Sequence, residues 1–143
     1  MSQENVEIVR GLWEPFKGID GATIDWESAA IREAIGRPYT PDAELRWSTT
    51  GPDARVYRGR DGVVEALKDW VEPFSEYHAE PLDYIAVGDR VVVPTRQWGI
   101  GKASGVPVEI EVTHVYTFRD SQITRVDEFD TLKEGLEAAG LRG

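Results

Sequence analysis

The sequence predicts an α+β fold, a conical barrel in which three N-terminal helices pack on a strongly curved antiparallel sheet and a short C-terminal helix follows. Two observations lead to this prediction. Three segments before residue 75 repeat apolar residues at helical spacing, and most of the remaining chain alternates polar and apolar residues as strands do. A strongly bent sheet closed by helices forms a cone, whose interior can hold packed side chains or a ligand.

The helices are predicted from their apolar stripes and their caps. The first covers residues 2–17, with Ser2 as its N-cap, and the second is capped by Asp25 and ends at Gly36. The third follows the turn "YRGRDG", with Asp61 as its cap. The three stripes consist of Val6, Val9, Leu12, Trp13 and Phe16, then Ile24, Ile31, Ala34 and Ile35, then Val63, Val64, Leu67, Trp70, Val71 and Phe74.

The strands are predicted from alternation and from the short turns between them. Thr131 and Glu134 form a capping box after the last strand, and this box predicts the short terminal helix. Because the connections are short, the later strands are expected to pair as antiparallel hairpins. The predicted strands cover residues 43–48, about 54–58, 79–87, 90–100, 107–118 and 123–129.

Composition limits the classes of function. The 143 residues, 41% of them hydrophobic, suit one domain, residues 1–143, with a single core. The absence of cysteine excludes disulfides, thiol nucleophiles and thiolate metal sites. A formal charge of −10 argues against nucleic acid as a partner. The polar start of the chain and the lack of a membrane-length apolar segment predict a cytoplasmic protein without a membrane partner.

A histidine stands on the apolar face of the strand "EIEVTHVYTF". With a period of two, His114 shares its face with Ile110, Val112, Tyr116 and Phe118. A buried imidazole needs a hydrogen-bond partner, because an unsatisfied polar atom costs about 1–3 kcal/mol. Two interpretations follow: a core histidine tied to a backbone carbonyl or a tyrosine, or a polar group at the wall of a ligand pocket.

The partner of His114 depends on the hairpin turn. A two-residue turn at residues 120–121 places His114 opposite Asp127, whereas a three-residue loop at residues 120–122 places it opposite Glu128. In both registers the histidine faces a carboxylate. Directly opposed side chains have Cβ atoms about 4.5–5.5 Å apart, which allows a hydrogen bond between imidazole and carboxylate.

We favour the three-residue loop because it sets Val126 beside Tyr116 and keeps the apolar face continuous. Glu128 then becomes the partner of His114. Such a pair can be a buried ion pair that only satisfies both groups, with a small or negative net effect on stability. It can also be an acid–base pair at a cavity wall, in which the carboxylate orients the ring.

The chain resembles the SnoaL-like branch of the nuclear transport factor 2-like superfamily, which includes polyketide cyclases and ketosteroid isomerases. This resemblance implies a conical barrel with a deep apolar pocket, and frequently a homodimer packed through the outer face of the sheet. The segments that carry it are "SQENVEIVRGLW", "YRGRDGVVEAL", "VGDRVVV", "HVYTFRDSQI" and "EFDTLKEGLEAAGL".

The resemblance also suggests roles for single residues. The base that ketosteroid isomerases carry on the first strand aligns with Trp47, their helix tyrosine falls near Leu12 or Trp13, and their oxyanion-hole acid falls at His114. Loss of the base and the tyrosine argues against steroid isomerisation by that mechanism. Polyketide cyclases are similar in placing a histidine and an acid on the last two strands, which matches His114 and Glu128.

We therefore expect a pocket for a small apolar organic ligand, in an isomerase or cyclase that needs no metal and no other cofactor. The expected catalytic residues are His114, Glu128 and Tyr116. A non-catalytic binding or interaction module is the alternative, and a hydrolase using Arg125 and Asp127 is a third class. The expected ligand-binding residues are Asp127 and the tryptophans Trp13, Trp47, Trp70 and Trp98.

Overall fold

The computed structural model describes residues 2–47 and 55–140. The helices in this part of the chain are α1 (Ser2–Trp13), α2 (Ala29–Gly36), α3 (Gly59–Val71) and α4 (Leu132–Ala138), with short 3₁₀ turns at Glu14–Phe16 and Gly21–Thr23. The strands are β1 (Tyr39–Trp47), β2 (Arg55–Arg58), β3 (Phe74–Pro81), β4 (Ile85–Val87), β5 (Arg90–Gly101), β6 (Pro107–Arg119) and β7 (Gln122–Phe129). A membrane-spanning helix needs about 20 mainly apolar residues, and no helix in the described part of the chain meets this requirement.

One mixed sheet forms the centre of the α+β fold, and the predicted fold class is confirmed. The strands are ordered β2-β1-β7-β6-β5-β3, and β4 also pairs with β5. The two edge strands do not pair with each other in the described residues, so helices complete the wall of the cone. All pairs are antiparallel except β1 and β7, which run parallel. The sequence did not predict this parallel pair, because it joins strands distant in the chain and no hairpin marks it.

The N-terminal helices differ from the sequence prediction at their ends. Helix α1 stops at Trp13, and the predicted continuation becomes a 3₁₀ turn with a proline in it. Asp25 does not cap α2: its carboxylate accepts a hydrogen bond from a backbone N–H two residues later and forms a local turn. Ser28 is the cap, and its hydroxyl accepts from the backbone N–H of Ile31. The predicted cap by Ser2 concerns a side chain outside the described part of the structure.

The third helix also begins and ends earlier than predicted. Asp61 is not its cap, because α3 starts at Gly59 and Asp61 lies in its first turn, where a carboxylate interacts favourably with the positive end of the helix. Phe74, predicted on the stripe of α3, instead opens β3, because Pro73 cannot continue a helix. The first residue of the predicted strand 54–58 lies outside the described residues, as does the last residue of the predicted strand 43–48.

The C-terminal helix α4 is capped as predicted and packs on the outer face of the sheet. The Thr131 hydroxyl accepts a hydrogen bond from the backbone N–H of Glu134 at 3.1 Å. Gly135 lies so close to β6 that an added Cβ would be 2.6 Å from the Thr113 Cγ2 atom. The helix therefore covers part of the outer face around Val115, away from the concave side.

The hairpin turn between β6 and β7 is shorter than the loop favoured from the sequence. Asp120 and Ser121 form a two-residue turn, with φ angles of 52° and 65°. Two consecutive positive φ angles are typical of the type I′ turn, whose twist matches that of the flanking strands. The prediction of a three-residue loop is therefore wrong.

A β-bulge nevertheless brings the favoured partner opposite the histidine. The register of β6 and β7 shifts by one residue close to the turn, and Thr124 is the extra residue. Beyond this bulge His114 pairs with Glu128, and Tyr116 pairs with Val126, as predicted. The predicted partner is therefore correct although the predicted loop is not, because a bulge and a longer loop shift the register in the same direction.

The left-handed turn allows a test of this geometry. We expect Ser121→Gly to raise the free energy of unfolding by about 1 kcal/mol, because glycine has no Cβ to disfavour a positive φ. Chemical denaturation measures the change. Ser121→Ala is the matched control, since it removes the hydroxyl but keeps the Cβ, and it should not stabilise the protein. Equal stabilisation by both substitutions would contradict the left-handed turn.

Candidate functional site

A cavity of about 250 Å³ lies between the helices and the concave face of the sheet. Helices α1, α2 and α3 and the segment that joins the first two line one side, and five strands line the other. The surface is mainly apolar, and its polar side chains are few, as in small-molecule pockets generally. Its aromatic residues are Trp13, Phe16, Trp26, Tyr39, Trp47, Trp70, Tyr77 and Tyr116.

His114 and Glu128 meet at the wall of this cavity. Their side chains are each 8% exposed, and 3.5 Å separates His114 Nε2 from Glu128 Oε2. This approach does not have hydrogen-bond geometry, and Nε2 has no hydrogen-bond partner among the described residues. The structure therefore does not contain the core histidine of the first interpretation, in which Nε2 would bond to a backbone carbonyl or a tyrosine. A buried nitrogen without a partner costs about 1–3 kcal/mol, and a ligand atom that bonds it recovers that cost.

Aromatic rings hold the imidazole in place. The ring centroid of His114 lies 5.4 Å from that of Trp47 and 5.9 Å from that of Trp13, both in tilted contacts. Tyr116 meets the imidazole edge-on at 6.3 Å. Because rings on three sides restrict its rotation, the imidazole keeps one orientation at the cavity wall.

The polar atoms of these rings are mostly bonded within the protein. Trp13 Nε1 donates to the Tyr116 hydroxyl at 3.1 Å, and Trp47 Nε1 donates to the carbonyl of Ala66 at 3.3 Å. Burial raises the pKa of Tyr116 well above its ordinary value, and the bond from Trp13 offsets this only in part. The Tyr116 hydroxyl therefore stays protonated at neutral pH and can act as a hydrogen-bond donor.

A second polar cluster, which the sequence reasoning missed, lines another part of the cavity. Gln97 Oε1 accepts hydrogen bonds from Trp70 Nε1 at 2.9 Å and from the Tyr77 hydroxyl. Gln97 Nε2 donates to the Thr95 hydroxyl at 3.1 Å, and this hydroxyl donates to the carbonyl of Val112 at 2.8 Å. Alternation along β5 contained the signal, because Gln97 follows Thr95 and the buried valines on the inward face.

The predicted tryptophans divide between the two faces of the sheet. Trp13, Trp47 and Trp70 line the cavity. Trp98 does not: it lies on the opposite face, where it stacks on His78 with a centroid distance of 5.5 Å and lies beneath the guanidinium of Arg96. The reason is geometric, because Trp98 follows the inward Gln97 and successive strand residues point to opposite faces.

Asp127 also lies outside the cavity, contrary to its predicted place in the pocket. The bulge that turns Glu128 inward leaves Asp127 on the outer face, where it binds the Arg125 guanidinium through two hydrogen bonds of 2.7 and 3.0 Å. The pair considered for a hydrolase is thus a bidentate ion pair away from the cavity. Among the described residues, no group of three or more histidine, aspartate and glutamate side chains is suited to hold a metal ion.

The fold and the site define a class of protein: a cone of helices and sheet around an apolar cavity that carries an imidazole and a carboxylate. The SnoaL-like domain model matches residues 24–126, and the chain therefore belongs to the SnoaL-like domain family. No curated protein sequence matches the chain.

Solved structures with the same fold agree with this assignment. A SnoaL-like, polyketide cyclase-like protein from Jannaschia sp. CCS1 has a TM-score of 0.72 at 19% identity, covering 99% of this chain and 95% of the other. TerC, co-crystallised with polyporic acid, has a TM-score of 0.65 at 21% identity, covering 95% and 98%. A Catenulispora acidiphila protein with a ketosteroid isomerase-like fold, in complex with trimethylamine, has a TM-score of 0.65 at 18% identity, covering 95% and 94%. At these identities the likeness concerns the fold.

Buried tyrosines give the cavity a pH dependence that can be measured. Burial raises the pKa values of Tyr39, Tyr77 and Tyr116 far above 10, and those of Tyr57 and Tyr84 less. Unfolded tyrosines lose their protons near pH 10. The unfolded state therefore binds fewer protons than the folded state above this pH, and we expect the free energy of unfolding to fall as the pH rises.

Ultraviolet absorbance of tyrosinate, recorded together with circular dichroism, checks this expectation. Full ionisation of the tyrosines should coincide with unfolding rather than precede it. Tyr116→Phe should show a shallower loss of stability with pH, because it has one buried phenol fewer. Complete tyrosinate absorbance near pH 10 in a still folded protein would contradict the assignment.

Proposed function

We propose that the protein binds a small, largely apolar carbonyl compound in its cavity and moves a proton next to the carbonyl, as an isomerase or cyclase that needs no cofactor. One observation carries the proposal: His114 Nε2 is buried at the cavity wall without a hydrogen bond, 3.5 Å from the Glu128 carboxylate. A base, a donor and apolar walls are what such a proton transfer requires.

Each group has a defined task in the proposed step. The Glu128 carboxylate, or the neutral imidazole of His114, takes a proton from the carbon next to the carbonyl. The electrons of the broken C–H bond form the C=C bond of an enolate, whose oxygen takes the negative charge. The Tyr116 hydroxyl or the protonated His114 donates a hydrogen bond to this oxygen. Return of the proton to a different carbon completes an isomerisation. In a cyclisation the enolate carbon attacks a second carbonyl, the π electrons of that carbonyl move to its oxygen, and this oxygen takes the proton that the base had removed.

The surroundings favour this chemistry. Trp13 Nε1 donates a hydrogen bond to the Tyr116 oxygen. The O–H group of Tyr116 can therefore donate a hydrogen bond to a ligand. The aromatic walls displace water, and hydrogen bonds to a developing charge are stronger in such an environment. Similarity to a polyketide cyclase-like protein and to proteins crystallised with polyporic acid and trimethylamine supports an organic small molecule as the ligand.

Ligand binding without turnover is the second candidate, and the first strand of the sheet favours it. The residues of β1 that line the cavity are Tyr39, Leu45 and Trp47, so this strand supplies no carboxylate. The Trp47 N–H group is already bonded to the carbonyl of Ala66. In this version His114 and Glu128 orient a ligand and transfer no proton.

Two further expectations from the sequence stay predictions. A homodimer would use the outer face of the sheet, where α4 already covers the part around Val115. The remaining outer face includes the ion pairs of Arg96 with Glu80 and Glu109. The cytoplasmic location is likewise a prediction.

Hydrogen exchange at a ketone tests the proton transfer directly. We expect the protein to accelerate deuterium incorporation next to the carbonyl of 1-tetralone in D₂O, followed by nuclear magnetic resonance. Glu128→Gln keeps the shape of the side chain but removes the base, and His114→Gln removes the imidazole; each should lower the rate about 10²- to 10⁴-fold. Glu111→Gln, the same substitution on an exposed residue of β6 outside the cavity, is the matched control and should retain the rate.

Three results separate the candidates. Exchange that needs Glu128 supports the enzyme. Binding of the ketone, measured by calorimetry, without any accelerated exchange supports the non-catalytic module. An unchanged rate in Glu128→Gln and His114→Gln would overturn the proposed acid–base pair.

A further inference from the structure

The inner wall carries polar groups at two levels along its strands. His114 pairs with Val93 on β5, and Gln97 lies four residues further along the same strand. At about 3.3 Å per residue, this corresponds to a backbone distance of about 13 Å. Tyr116 lies on the other side of His114, so the histidine occupies the level between Tyr116 and Gln97. A ligand that reaches both levels therefore extends along the strands.

The hydrogen bonds around Gln97 fix the orientation of its amide group and leave one donor and one acceptor of the cluster unused. Gln97 is 3% exposed, and its oxygen accepts from Trp70 and Tyr77. One N–H of its NH₂ group donates a hydrogen bond to the Thr95 hydroxyl. The other N–H is not used in these hydrogen bonds. The Tyr77 hydroxyl donates to Gln97 Oε1 and accepts a hydrogen bond from Trp70 Nε1 at 3.0 Å. One lone pair on the Tyr77 oxygen is therefore left without a donor. The cluster thus offers one donor and one acceptor, and both residues line the cavity.

We propose that Tyr77 and Gln97 form a second polar anchor that selects ligands carrying a hydroxyl group at a distance from the reacting carbonyl. The inference rests on the proposed function. A hydroxyl group both donates and accepts, so it matches the lone pair of Tyr77 and the free N–H of Gln97 together. A ketone or an ether only accepts, and it leaves the Tyr77 lone pair unused.

The anchor lies close enough to the acid–base pair to act on the same ligand. Tyr77 and Gln97 line the same cavity as the pair of His114 and Glu128. The substrate class that fits is therefore a hydroxylated aryl ketone, with its carbonyl at Tyr116 and His114 and its hydroxyl at Tyr77 and Gln97. Bonds to Thr95 and Trp70 hold the anchor in one orientation before binding, which lowers the entropic cost of recognition.

Calorimetry with three matched ketones tests the anchor. The probes are 1-tetralone, 6-hydroxy-1-tetralone and 6-methoxy-1-tetralone, whose substituent is on the side of the bicycle away from the carbonyl. We expect the hydroxy compound to bind about tenfold more tightly than the other two, a difference that one or two neutral hydrogen bonds can supply. The methoxy compound controls for size, because it lacks the donor.

Variants assign the preference to the cluster. Tyr77→Phe should bind all three ketones with similar affinity. Gln97→Met should likewise reduce the preference. Tyr57→Phe is the matched control, because the Tyr57 hydroxyl bonds to Asp69 outside the cavity, and it should keep the preference.

The results separate this anchor from the proposed function. Equal binding of the three ketones by the unmodified protein, or a preference that survives both Tyr77→Phe and Gln97→Met, overturns the anchor. If 1-tetralone binds and exchanges its protons without a preference for the hydroxy compound, the anchor alone is wrong. If none of the three binds, the proposed carbonyl ligand and the anchor are both overturned.

Discussion

The register between β6 and β7 is the constraint on which the site depends. A strand has a period of two, so a slip of one residue would turn Glu128 to the outer face and Asp127 to the cavity. A two-residue turn alone gives that other register, and the bulge at Thr124 corrects it. The outward carboxylate is then bound by Arg125, whereas the inward carboxylate lies beside His114. The two neighbouring acids thus acquire different roles from one extra residue.

The inward pair differs from an ion pair that serves stability. A buried pair is stabilising only when hydrogen bonds satisfy its remaining atoms, and His114 Nε2 lacks such a bond. The aromatic frame compensates in part, because Trp13 and Trp47 pack against the imidazole and stabilise its position through dispersion and burial. Buried polar atoms without a hydrogen bond occur at sites with a chemical role, since a fully bonded group has no hydrogen-bonding capacity left for a ligand.

The sequence predicted the parts of the fold that local patterns encode. Alternation predicted His114 on the inward face of β6, and the capping box at Thr131 predicted the start of α4. The end of β5 misled the same reasoning, because polar Gln97 faces the cavity and apolar Trp98 faces outward, the reverse of the usual pattern. Gln97 can be inward because Trp70 and Thr95 bond its amide, and such tertiary bonds leave no local signal. The parallel pairing of β1 with β7 also depends on contacts between distant parts of the chain, so no local pattern predicted it.

The segment between α1 and α2 lines one side of the cavity and contacts Tyr77 on the other side. Asp20 Oδ1 accepts hydrogen bonds from the backbone N–H groups of Ala22 and Tyr77, both at 2.9 Å, and so ties this segment to β3. Gly21 lies directly against the tyrosine ring, since an added Cβ would be 2.9 Å from Tyr77 Cδ2. The position of the Tyr77 ring is therefore set by the covering segment as well as by Gln97. The segment that lines one side of the cavity therefore also positions one of the polar groups on the other side.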